Sequence, residues 1–227
     1  MCGRYAFYSP AEAVRQYFAV DCELDLQPRY NIAPTQDVPV IRRRDGGKEL
    51  ALLHWGLVPS WAKEKSIGNR MINARAETVA EKPSFRNALK SRRCLVLANG
   101  FYERQKTGAA KQPHYICMQD RRPMAFTGLW ESWDKGGELL ESCAIITTTA
   151  NELVAPIHHR MPVILGKDRQ TDWLSGVPLD AGQLGSMLLP SPAGEMVAWP
   201  VDRKVNSPAN QGSELIEEEP GQRGEPQ

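Results

Sequence analysis

Residues 38–58 read VPVIRRRDGGKELALLHWGLV, and this stretch decides the fold. Val38, Val40 and Ile41 are β-branched and favour extended backbone. Asp45, Gly46 and Gly47 then supply residues that tolerate positive φ, and a second apolar run, ELALLHWGLV at 49–58, returns. Two such runs around an Asp-Gly turn predict a β-hairpin, so the early sheet is expected to be antiparallel.

Working outward, PAEAVRQYFAV at 10–20 puts Ala13, Val14, Tyr17 and Phe18 on one helical face, with Ser9 as N-cap and Pro10 at the first helical position. On the other side, PSWAKEKSIGNR at 59–70 mixes proline, glycine and polar residues and predicts an exposed loop carrying Trp61. A helix is expected around PSFRNALKS, followed by strands in CLVLANGFYE, HYICMQ, MAFTGLW and SCAIITTTA, and by helices at 151–157 and 168–174. No repeat period is present. These elements describe one mixed α+β domain on a strongly curved, mainly antiparallel sheet. The acidic, Pro/Gly-containing stretch after about Ile216 is expected to be disordered.

The chain has 227 residues, enough for one well-buried core. Hydrophobic residues at 41% and charged residues at 24% exclude a fibrous or wholly disordered chain. No run of about 18 apolar residues exists to span a bilayer, and MCGRYAFYSP lacks the order of a secretory signal, which predicts a cytoplasmic protein. Cys2, Cys22, Cys94, Cys117 and Cys143 are scattered and never form CxxC, so no disulfide framework or zinc site is signalled. The net charge of +1 divides into −4 on residues 211–227 and +5 on residues 1–210. Short basic clusters (Arg42 to Arg44; Lys90, Arg92 and Arg93; Arg121 and Arg122) suit either a phosphate backbone or solvated turns.

The most reactive candidate is Cys2. Removal of Met1 would leave a 1,2-aminothiol, whose amine titrates near ~7.7–8.0 and thiol near ~8.5. The amine can form a Schiff base with an aldehyde, and the thiol can close it to a thiazolidine. Asn73 in NARAET, Glu103 in NGFYE and His158 in IHHRMP end apolar stretches, where polar residues often rim a pocket. Each also fits a plain structural role: a turn, a strand end, a hydrogen-bonded core histidine. Arg4, Arg75 and Arg160 lie in the same segments and could bind phosphates, while Trp55, Trp61 and Met161 offer apolar surface for an unpaired base.

In order along the chain stand MCGR, YNIAPTQ, WGLVPSW, NARAET, GFYE, FTGLW, ITTTAN, HHRMP and VNSPANQGSELIE. This series resembles the SRAP (SOS response-associated peptidase) family from residue 1 to about 218, leaving 219–227 as an acidic tail. The resemblance implies an α+β domain around a distorted, mainly antiparallel β-barrel with flanking helices and a basic groove for single-stranded DNA. It implies covalent capture of abasic sites as a thiazolidine: Cys2 as nucleophile, Asn73 positioning it, Glu103 handling the amine proton and His158 as acid-base group. Arg4, Arg75, Arg160, Trp61 and Met161 would contact DNA. It implies no cofactor and no metal, and the protein is expected to be a monomer, nucleoid-associated when bound to DNA. The chain departs from the family in carrying Arg104 where tryptophan commonly follows GFYE, and Asn99 where an acid is usual. The family name also admits an autopeptidase, and the MCG opening is shared with N-terminal-cysteine amidotransferases, whose later glycine-rich motifs are not evident here.

Overall fold

The computed structural model describes residues 2–108 and 110–219. In chain order it contains β1 (Tyr5–Phe7), α1 (Ala11–Phe18), β2 (Arg29–Ile32), β3 (Asp37–Arg44), β4 (Gly47–Trp55), β5 (Asn73–Arg75), α2 (Arg86–Ser91), β6 (Arg93–Ala98), β7 (Gly100–Thr107) and β8 (Ala110–Met118). Then follow β9 (Met124–Lys135), β10 (Glu138–Thr149), β11 (Arg160–Pro162), α3 (Lys167–Leu174), α4 (Ala181–Met187) and β12 (Met196–Pro200).

The predicted hairpin is β3–β4, in antiparallel register from Asp37 opposite His54 to Arg44 opposite Gly47. Asp45 at φ 49° and Gly46 at φ 86° make its two-residue turn, the left-handed geometry that matches strand twist. Pairing of β3 to β6 begins at Val40, one residue past Pro39, whose missing N–H therefore leaves no gap in the ladder. The strand ends at Trp55, earlier than the apolar run suggests, because Gly56 turns the chain at φ 145° with its Cα against the backbone of Gly68, where a Cβ would lie 2.8 Å from the Gly68 oxygen.

A barrel grows from this hairpin. The antiparallel pairs β4–β3, β3–β6, β6–β9 and β9–β10 run round to β10, which closes on β4 through a short parallel pairing at Ser142–His54 and Cys143–Trp55. Closure is short, joining β4 to β10 only at the C-terminal end of β4. The far half of β10 carries two short strands, β5 in parallel and β11 antiparallel. A second, antiparallel sheet in the order β12-β8-β7-β1-β2 completes the mainly antiparallel architecture. One hydrophobic core runs from Cys2 to Leu215 through both sheets. Arg93 is buried yet satisfied, donating to the carbonyls of Leu89, Lys90, Trp173 and Val177, and so ties the C-terminal end of α2 to that of α3.

Several local expectations are corrected. Residues 151–157 form turns rather than a helix: Asn151 Oδ1 accepts from the Val154 N–H at 2.9 Å as a cap would, but Pro156 has no N–H to continue the ladder. Helix α1 starts at Ala11 with Pro10 at the capping position, and the Ser9 hydroxyl bonds Asn99 instead. The loop at 59–70 does expose Trp61, at 54%, but folds into a 3₁₀ turn at Lys65–Arg70. Glu219, the first residue of the expected tail, is tied down by its N–H to Pro200 O at 2.9 Å and by Gln112 at 3.1 Å; residues 220–227 lie outside the described residues. Among the described residues no helix is long and apolar enough to cross a membrane.

Candidate functional site

Cys2 enters the structure just ahead of β1, fully buried. Strand β1 pairs with β7 at Tyr5–Phe101 and Ala6–Gly100, and the Tyr102 N–H to Arg4 O bond at 2.9 Å extends that register toward Glu103. Pairing of β5 with β10 brings Asn73 in from another direction, and its Nδ2 donates to the carbonyl of Cys2 at 2.8 Å. The turn ahead of β11 supplies His158, whose Nδ1 lies 3.9 Å from Oε1 of Glu103. Four residues from four separated segments are thus brought to one place.

Burial sets the electrostatics. It pushes the Cys2 thiol well above its ordinary pKa, and the nearby Glu103 charge pushes it further. Burial also raises the Glu103 carboxyl, which is 6% exposed. His158 moves the opposite way, lowered by burial, so the imidazole is neutral at pH 7. Its Nδ1 lies 3.0 Å from the Arg160 backbone nitrogen and 3.1 Å from the Arg160 carbonyl oxygen, so the backbone of one residue holds the ring. His158 stacks on His159 with centroids 4.4 Å apart. Among the described residues no three His, Cys, Asp or Glu side chains are grouped to hold a metal.

The arginines differ in their commitments. Arg4 donates through Nη1 to Asn31 Oδ1 at 3.0 Å, and Arg75 is exposed on β5. Arg160 is buried, its guanidinium gripping Glu77 at 2.5 and 3.0 Å and the Thr147 carbonyl at 2.6 Å. Met161 cannot offer a surface to a base: pairing of β11 with β10 turns it into the core at 0% exposure, where its sulfur accepts from the Asn151 N–H at 3.4 Å. Trp55 is likewise core, its Nε1 bonded to Ile72 O at 2.9 Å. Asn99 accepts from the Tyr8 and Ser9 N–H groups at 2.8 and 3.0 Å and donates to the Ser9 hydroxyl, so it shapes the bend between β1 and α1.

Three residues escaped the sequence reading. Asn31 is fully buried and spends Nδ2 on the carbonyls of Val205, Ser207 and Asn210, which leaves Oδ1 aimed at Arg4. Glu77 holds Arg160, and Asn206 Oδ1 accepts from Arg104 Nε at 2.8 Å. All three lie inside quoted motifs, YNIAPTQ, NARAET and VNSPANQ, and that is the only signal that could have found them.

A family model described as SOS response associated peptidase (SRAP) matches residues 1–208. The abasic site processing protein YoqW of Bacillus subtilis is 43% identical over 222 residues, covering 96% of this chain and 99% of the relative. YedK of Escherichia coli, of the same description, is 31% identical with the same coverage, and HMCES of Gallus gallus is 34% identical across 84% of this chain and 66% of its own. A solved structure from Bacteroides thetaiotaomicron superposes with a TM-score of 0.87 at 29% identity, covering 96% of this chain and 100% of that one. With motif order, fold and relatives in agreement, the chain belongs to the SRAP family.

Proposed function

We propose that this protein processes abasic sites in DNA by capturing them covalently, with Cys2 as the attacking residue once Met1 is removed. The observation that carries this reading is the convergence of Asn73, Glu103 and His158 on Cys2, with the Asn73–Cys2 bond at 2.8 Å as its anchor. It is supported by the relatives named as abasic site processing proteins.

The buried thiol is protonated at neutral pH, so the α-amine acts first. Its nitrogen attacks the C1′ aldehyde of the ring-opened deoxyribose, Glu103 takes the proton released from nitrogen, and loss of water leaves an imine. Sγ of Cys2 then adds to the imine carbon while its proton passes to nitrogen, closing a thiazolidine. His158 exchanges a proton with the sugar oxygen during ring opening and in reversal of the adduct. Asn73 fixes the Cys2 carbonyl so that amine and thiol stay beside the carbon they attack.

Single-stranded DNA is the proposed partner, met by Arg4 and Arg75 on phosphates and by Trp61 on a base. Arg160 would reach a phosphate only by exchanging its Glu77 partner. The protein is proposed to act as a monomer, without metal or cofactor, in the cytoplasm and at the nucleoid.

The test is denaturing gel electrophoresis, with intact-mass confirmation, of Met1-processed protein incubated with single-stranded DNA holding one abasic site. A heat-stable shifted band that vanishes in Cys2→Ala supports the reading. No band from protein shown to carry free Cys2, or an equal band from Cys2→Ala, overturns it.

A further inference from the structure

Two arginines flank one small cavity beside the site. It measures about 40 Å³, and its lining includes Gly3, Arg4, Tyr102, Glu103, Arg104 and Val205. That is room for about three water-sized groups, the footprint of the oxygens on one phosphate.

The arginines are held by neutral partners. Arg4 Nη1 rests on Asn31 Oδ1 at 3.0 Å and Arg104 Nε on Asn206 Oδ1 at 2.8 Å. Side-chain amides fix the direction of a guanidinium without cancelling its charge, in contrast to Arg160, whose charge Glu77 takes up. Asn31 cannot swing away, because three carbonyls hold its Nδ2. The Nε of Arg4 is buried without a hydrogen-bond partner among the described residues, so its guanidinium is not saturated by the fold. The two charges also feel each other: Arg4 is lowered first by burial and then by Arg104. The one carboxyl on the cavity, Glu103, stands 3.9 Å from His158.

We propose that Arg104 and Arg4 form a clamp for a single internucleotide phosphate of the DNA strand that carries the lesion. This deepens the abasic-site reading and rests on it. The chemistry is that of a phosphate oxyanion between two preoriented forks. A bound phosphate would relieve the repulsion between the guanidiniums and position the strand over Cys2.

The test uses single-stranded DNA holding a tetrahydrofuran abasic analogue, which has no aldehyde and so reports binding alone. Affinity is measured from about 50 to about 200 mM salt, where each phosphate neutralised on a single strand contributes a slope of about −0.7 in log K against log[salt]. Arg104→Gln is expected to shallow the slope by up to about 0.7, whereas Arg104→Lys keeps most of the slope but binds more weakly, having lost the fork. The double variant Arg4→Gln/Arg104→Gln should lose less affinity than the product of the single losses, because both arms act on one group. An unchanged slope in Arg104→Gln, or losses that multiply independently, overturns the clamp. Binding of inorganic phosphate alone by the wild type but not by Arg104→Gln, with unchanged DNA slopes, assigns the cavity to a free ion and also overturns it. Failure of the cross-link on a true abasic site sinks the covalent reading while leaving these slopes readable.

Discussion

Arg160 holds His158 with its backbone and Glu77 with its side chain. Its N–H reaches Nδ1 of His158 at 3.0 Å, and its guanidinium reaches both carboxylate oxygens of Glu77 at 2.5 and 3.0 Å. The imidazole is therefore oriented by a residue that is itself anchored across the β5–β11 end of the sheet.

Glu77→Gln should weaken that anchor at the cost of about 0.5–1 kcal/mol, since solvent screens the half-exposed carboxylate. The hydrogen bonds from Arg160 hold the Glu77 carboxyl below its ordinary 4.5. A depressed acid stabilises fully above its unfolded value and loses that contribution as pH falls through its folded value. Thermal unfolding of the two proteins should thus differ most above about pH 5 and converge toward acid. A gap that widens on acidification contradicts the pairing.

The pH–rate profile of adduct formation should fall toward acid, because the attacking α-amine, ordinarily at ~7.7–8.0, and the proposed base Glu103 must both be deprotonated. Burial raises Glu103 from 4.5 and lowers His158 from 6.5, so Glu103 takes up its proton at a higher pH than a free carboxyl and His158 at a lower pH than a free imidazole. Glu103→Gln and His158→Gln should each slow formation by roughly 10²-fold, and each should remove its own part of the limb. A limb unchanged in both Glu103→Gln and His158→Gln, measured by quenched gel time courses, excludes both groups as its source.

Asn31→Ala should lower stability by about 1–3 kcal/mol, since three backbone carbonyls lose their buried donor. It should also weaken binding to the tetrahydrofuran-containing strand, because Arg4 loses the acceptor that aims it. Chemical denaturation and salt-dependent binding read the two effects separately.

Gly100→Ala, on the strand that pairs with β1 just after Cys2, places a Cβ against the ring of Tyr115. A loss of about 1–3 kcal/mol is expected from the forced shift. Cross-linking should fall with it, because β1–β7 pairing sets where Cys2 sits. Gly185→Ala, inside α4 and with nothing within 4 Å of its Cβ, is the control and should be no less stable than the wild type, gaining about 0.5–1 kcal/mol from helix propensity.

Much of this protein was determined by its sequence alone. Asp45 and Gly46 dictate the β3–β4 turn, because few residues accept positive φ, and alternating or β-branched runs dictate most strands of the barrel. Cys2, Asn73, Glu103 and His158, the residues of the proposed site, stand out in the sequence through motif order, and the fold brings them together. Only the tertiary structure decided which side chains meet. Asn31 finds its partners more than 170 positions away and Glu77 finds Arg160 83 positions away, at separations where local preference carries no information. The same holds for Met161: it reads as an exposed apolar residue, yet its strand completes β10 and buries it. Helical or extended preference acts over a few residues, whereas burial and pairing depend on how the barrel closes.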